Sequence, residues 1–163
     1  MTSLKCIIVD DEPLALNLLQ DYIHQTPFLK LVARCSSGVE ALDVFNNEHV
    51  DLAFIDIQMP HLNGLELSRM MGNCFVIFTT AFEQYALEGF KVNAIDYLLK
   101  PFSYAEFLTA ANKAQRQAEL INASGSLVNN TLTPKNLVIK SDYKQQIITT
   151  SDILYIEGII NVY

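Results

Sequence analysis

Apolar residues in the first two-thirds of the chain fall alternately into short continuous runs and into helical spacings. Cys6-Ile7-Ile8-Val9 is a short run that ends in Asp10-Asp11. Leu14, Leu18, Leu19, Tyr22 and Ile23 then recur at three- and four-residue intervals, the period of a helix with one buried face. Pro13 suits the first turn of that helix, where no backbone N–H is needed. Leu31-Val32-Ala33 predicts a second strand and Gly38 to Phe45 a second helix. Val50 to Ile55 predicts a third strand stopping at Asp56, and a turn with Pro60 and Gly64 leads into a helix through Met71. Phe75 to Phe78 is a fourth strand ending at Thr79-Thr80, followed by a helix from Glu83 to Lys91. Ile95 to Leu99 is a fifth strand ending at Lys100-Pro101. Ser103 and Glu106 form an S-x-x-E capping box flanked by the apolar pair Phe102 and Phe107, so a last helix starts there and runs to about Ala118. Strands alternating with amphipathic helices imply an α/β fold, a five-stranded parallel sheet covered on both faces.

After this the pattern changes. Residues 122–134 are rich in Asn, Ser, Gly, Thr and Pro, a composition that reads as a linker. Leu137-Val138-Ile139, Gln146 to Thr149 and Ile153 to Ile156 then read as strands separated by polar turns. The expected organisation is a main domain over 1–121, a linker over 122–134, and the incomplete start of a β-rich domain over 135–163.

Charge sharpens this division. Residues 1–121 hold eight Lys and Arg against fifteen Asp and Glu, whereas beyond them three lysines meet three acids. An acidic domain repels nucleic acid and suits a cation site. No run approaches a membrane span, and Met1 to Lys5 lead directly into a strand, so a cytoplasmic location is expected. Cys6, Cys35 and Cys74 are far apart and lie in or beside apolar runs, and no CxxC pair exists. They read as core fillers. His24, His49 and His61 are scattered without ligand spacing.

Function in an open α/β sheet collects at the carboxyl ends of its strands. Here those ends carry Asp10 and Asp11, Asp56, Thr80 and Lys100. Three neighbouring carboxylates are tolerable around a divalent cation, and hard oxygen donors favour Mg²⁺. A lysine offers a compact positive charge for an anion, and a threonine a hydrogen-bond donor. A carboxylate beside them is a competent nucleophile toward a phosphoryl donor. Each feature alone has a structural explanation as an acidic helix start, a turn or a cap. Their joint appearance at successive strand ends points to a site for a tetrahedral anion.

Over roughly Leu4 to Ala118 the chain resembles a response-regulator receiver domain. The resemblance rests on Ile8-Val9-Asp10-Asp11-Glu12, Asp56-Ile57-Gln58-Met59-Pro60, Gly64, Thr80-Ala81 and Tyr97-Leu98-Leu99-Lys100-Pro101-Phe102. It implies a flavodoxin-like (CheY-like) topology and a two-component switch in which a sensor histidine kinase phosphorylates Asp56. It further implies Mg²⁺ held directly by Asp11, by Asp56 and by the Gln58 backbone carbonyl, with Asp10 acting mainly through metal-bound water. Lys100 would pair with the phosphoryl group, beside Ala81. Thr80 would be the switch hydroxyl and Tyr97 the aromatic that rotates with it. A homodimer on phosphorylation would use the face of Tyr85, Leu87, Phe90, Val92 and Asp96. Asp10 to Ala15, Phe78 to Phe82 and Ala94 to Phe102 resemble more narrowly the receivers of LytTR-type (LytR/AlgR) transcription regulators. Leu137 to Ser141 and Asp152 to Gly158 are similar to the opening of a LytTR DNA-binding domain. Promoter DNA is therefore the expected partner of a full-length regulator but not of residues 1–163 alone, where no arginine lies beyond Arg116.

Three rival readings are weaker. A haloacid-dehalogenase phosphatase would need an acid two residues after its aspartate, where this chain has Gln58. A nucleotide-binding domain would need a glycine-rich phosphate loop, and none is present. A stand-alone phosphorelay module leaves the β-patterned tail unexplained. The expected protein is thus a phosphoacceptor signalling domain and not an enzyme acting on other substrates.

Overall fold

The computed structural model of the chain describes residues 2–88, 94–128, 136–141 and 144–149. The chain separates into two units, residues 1–122 and 123–163. From Leu4 to Val128 five strands alternate with five helices: β1 (Leu4–Val9), α1 (Pro13–His24), β2 (Leu29–Cys35), α2 (Gly38–Asn47), β3 (Leu52–Asp56), α3 (Gly64–Met70), β4 (Phe75–Thr80), α4 (Glu83–Glu88), β5 (Asp96–Leu99) and α5 (Tyr104–Val128), whose last turns pass residue 122. The strands are parallel in the order β2-β1-β3-β4-β5. This is the flavodoxin-like topology expected from the sequence, with the order reversing between β1 and β3.

Two cores flank the sheet, because successive strand residues point to opposite faces. Cys6, Ile8, Leu52, Phe54, Ile77 and Leu98 pack with α1 and α5 through Leu19, Ile23 and Phe107. Ile7, Val9, Ala53, Ile55, Val76 and Phe78 pack with α2 and α3 through Ala41, Leu67 and Met71. Phe107 stacks on Phe54 with ring centroids 4.8 Å apart. Both faces of β1 and β3 are buried, which is why those strands read as unbroken apolar runs.

The helix ends follow local chemistry. Ser37 caps α2 by accepting from Glu40 N, and Asn63 with Glu66 closes a capping box on α3. At the start of α5 the Ser103 hydroxyl accepts from Glu106 N, and Glu106 Oε2 accepts from Ser103 N. The expected end near Ala118 is corrected: α5 continues to Val128, through the first seven residues of the stretch whose composition reads as a linker. Once anchored by its buried face a helix propagates readily. Ser and Asn weaken it only modestly, Gly more so, and the first proline after Pro101 is Pro134. α4 is described to Glu88, so its expected continuation to Lys91 lies outside the described residues.

In the second unit, β6 (Asn136–Ser141) and β7 (Lys144–Thr149) pair antiparallel, from Asn136 opposite Thr149 to Ser141 opposite Lys144. The strand expected over Ile153 to Ile156 lies outside the described residues. Among the described residues no helix is long and apolar enough to cross a membrane.

Candidate functional site

Four adjacent strands deliver the charged residues to one rim of the sheet. β1 ends before Asp10 and Asp11, β3 ends on Asp56, β4 on Thr80, and β5 leads to Lys100. Asp10 is fully buried, Asp56 nearly so, and Asp11 is exposed. One carboxylate oxygen from each of the three lies within 4.8 Å of the others.

Such crowding is held in check by Lys100. Its ammonium sits 2.8 Å from Asp10 Oδ2 and 3.0 Å from Asp56 Oδ1. Asp10 Oδ1 also accepts from Glu12 N at 2.9 Å, at the turn into α1. Burial pushes the Asp56 carboxyl up to about 6; Lys100 opposes that rise, and Asp10 and Asp11 add to it. For Lys100, burial works to lower the ammonium's pKa, but the bonds to Asp10 and Asp56 outweigh it and the net shift is upward. Burial thus makes the charged form of Asp56 costly to hold, and Lys100 recovers only part of that cost.

The donor set fits a small hard cation. Two carboxylates are buried and one is open to solvent, and all three present oxygen in reach of a single point. The residues present therefore suit Mg²⁺ with part of its water shell retained.

The loop after β3 folds back onto the site. Gly64 N donates to Ile57 O at 2.9 Å and Ile57 N to Thr79 O at 3.0 Å. A Cβ on Gly64 would stand 2.3 Å from the Asp56 carbonyl oxygen, so only glycine allows this approach. His61 in the same loop is exposed and takes φ 67°. Gln58 is exposed and its side-chain amide donates to the Tyr85 hydroxyl at 3.4 Å. Asp11, Gln58, Asn63 and Tyr85 line a cleft of about 470 Å³ beside the carboxylates.

Thr80 is buried, and its hydroxyl oxygen accepts from Phe82 N at 3.1 Å. Ala81 follows it at the exposed turn. Tyr97 packs its ring on Phe78 at 5.3 Å, with its hydroxyl sealed from solvent and unpartnered among the described residues. Burial raises its pKa. Of the residues expected on a dimer face, Tyr85 is half-buried against the second core and Asp96 pairs with Lys113 at 2.6 Å. Phe90 and Val92 lie outside the described residues, and the Leu87 side chain is not described. Cys6, Cys35 and Cys74 are all pushed up to about 12 by burial, which makes them inert as thiolates. Sequence reasoning passed over Thr79, fully buried on β4 in register with Asp56. Its signal was a second hydroxyl in a run otherwise apolar from Phe75 to Phe78.

Residues 6–112 match the response regulator receiver domain family. The chain belongs to that family. The receiver is 39% identical over 105 residues to the transcriptional regulatory protein BtsR of Escherichia coli K12, an alignment covering 63% of this chain and 44% of BtsR. It is 36% identical over 115 residues to the sensory transduction protein LytT of Enterococcus faecalis, covering 68% of this chain and 48% of LytT. The chain thus spans about half the length of these curated relatives. Among solved structures, the response regulatory domain of MrkE from Klebsiella pneumoniae superimposes with TM-score 0.66 at 31% identity, covering 71% of this chain and 98% of that one. As a receiver, the domain belongs to two-component signalling.

Proposed function

We propose that Asp56 is the phosphoacceptor of a histidine-kinase partner and that its charge state switches a transcriptional output. The observation that carries this reading is the Lys100 ammonium clamped between Asp10 and Asp56 at one rim of the sheet. An Asp56 oxygen attacks phosphorus, the P–N bond of a phosphohistidine breaks, and the imidazole leaves with its electron pair. Lys100 is placed to neutralise the phosphoryl oxygens, leaving a mixed anhydride on Asp56. Asp10, Asp11, Asp56 and the Gln58 backbone carbonyl would hold Mg²⁺, which when bound neutralises the carboxylates and the transferring group. Thr80 then turns its hydroxyl toward the acyl phosphate, and Tyr97 rearranges with it. Such a switch biases a two-state element that already exists. The face around Tyr85 and Asp96 is the inferred contact between two phosphorylated copies.

The output is inferred to be promoter binding through a LytTR-type domain beginning near residue 135. Two things support it: the names of BtsR and LytT, and a 34% identity to a Shewanella oneidensis response regulatory protein that covers 93% of this chain and so takes in β6 and β7. Mass spectrometry after treatment with acetyl phosphate and Mg²⁺ tests the phosphoacceptor. The chain should gain one phosphoryl mass and Asp56→Asn should gain none. Retention of that mass by the variant would refute the assignment.

A further inference from the structure

Thr79 has a side-chain oxygen sealed from solvent and without a hydrogen-bond partner among the described residues. A buried polar group left unpaired is uncommon and calls for a physical reason. A valine has nearly the same shape without the cost of a buried unpaired hydroxyl, so filling the space does not by itself call for threonine.

Its place in the sheet supplies the reason. Thr79 stands in register with Asp56 on the neighbouring parallel strand, so the two side chains share a face. Asp10, Asp56, Thr79 and Lys100 each follow by two residues a member of the core under α1 and α5: Ile8, Phe54, Ile77 and Leu98. The register sets Asp56 on β3 beside Thr79 on β4 and Thr79 beside Leu98 on β5; Asp10 follows the end of β1, and Lys100 stands two residues beyond Leu98. To reach Asp56 at 3.0 Å and Asp10 at 2.8 Å from beyond β5, the Lys100 side chain spans the carboxyl end of β4, the strand that carries Thr79.

An ammonium has three donors, and Asp10 and Asp56 engage it now. A phosphoryl group on Asp56 would bring further negative charge and three acceptor oxygens, drawing the ammonium off Asp10. We propose that Thr79 is a positioning residue whose hydroxyl oxygen accepts a hydrogen bond from Lys100 as the ammonium shifts onto the group carried by Asp56. The hydroxyl is unpaired at rest because its partner belongs to the charged state. This rests on the reading of Asp56 as phosphoacceptor.

The test uses the 163-residue chain as wild type and as Thr79→Val, Thr79→Ser and Thr79→Ala. Resting melting temperatures are measured first, then calorimetric affinity for beryllofluoride with Mg²⁺ as a stand-in for the phosphoryl group. Thr79→Val should melt at or above the wild-type temperature yet bind beryllofluoride about tenfold more weakly, the loss of one charge-assisted hydrogen bond. Thr79→Ser should bind within a few-fold of wild type. Equal affinity in Thr79→Val and wild type, or loss in Thr79→Ser as large as in Thr79→Val, would overturn the proposal. If Thr79→Val does not fold, Thr79→Ala against Thr79→Ser decides: weak binding by alanine alone supports the role, and equal binding refutes it. A wild-type chain that takes up neither beryllofluoride nor phosphate would instead overturn the phosphoacceptor reading, and Thr79's role with it.

Discussion

Replacing Asp56 by asparagine should make the resting domain more stable near neutral pH. The carboxyl is nearly buried and pushed up to about 6 from its ordinary value of 3.8. Between those values the folded chain holds a proton that the unfolded chain has released. Stability therefore falls as pH rises through this window, and the ionised group is a liability above it. Two pH units correspond to about 3 kcal/mol, an upper bound because side chains relax around a charge. An asparagine of the same shape carries no charge, and Lys100 keeps Asp10 at 2.8 Å. The expected gain is about 1–3 kcal/mol at pH 7.5 without divalent cations, or roughly 4–12 °C in melting temperature for a domain of this size. About half of it should remain at pH 5 and little at pH 4. Urea unfolding of both chains across that range, followed by tyrosine fluorescence or circular dichroism, measures it. Mg²⁺ should narrow the gap by stabilising the wild type alone. An asparagine variant no more stable at pH 7.5, or a gap that does not shrink in acid, would refute the argument that burial dominates at Asp56.

Asp11→Ala should weaken Mg²⁺ binding by about tenfold or more while shifting the melting temperature little, because Asp11 is exposed. Asp10→Ala should weaken binding less, as calorimetric titration of both variants would show. Gly64→Ala should destabilise by more than about 2 kcal/mol and slow phosphorylation by acetyl phosphate, since its Cβ would meet the Asp56 carbonyl at 2.3 Å. Thermal melts and time-resolved mass spectrometry check both effects. Phe107→Ala should cost about 3–5 kcal/mol in urea unfolding, because a fully buried ring stacked on Phe54 is lost.

Much of this architecture was legible because it is local or periodic. β1 and β3 are buried on both faces and announce themselves as apolar runs, and the Ser103–Glu106 box marks the start of α5 in four letters. Asp10, Asp56 and Lys100 could be grouped because a doubly wound sheet gathers strand ends at one rim. What stayed hidden depends on register and on propagation. The pairing of Thr79 with Asp56 is a relation between β3 and β4 that no single run of residues encodes. The Gln58–Tyr85 contact joins the loop after β3 to α4, between residues 27 apart. The extension of α5 beyond Ala118 reflects cooperative growth from a packed helix, which a residue-by-residue tally of helix formers underrates.

The sheet also divides labour between its two sides. Asp10, Asp56 and Lys100 lie on the side of α1 and α5, whereas Tyr97 packs with the core of α2 and α3. Side chains on opposite faces of a sheet are separated by the backbone layer between them. A short route from the carboxylates to Tyr97 runs around the strand ends, through the turn that joins Thr80 to Phe82. On the proposed reading, substitutions under α1 should retune how fast Asp56 is charged, and substitutions beside Tyr97 should change which surface responds. A domain divided in this way can acquire new partners while keeping one reaction.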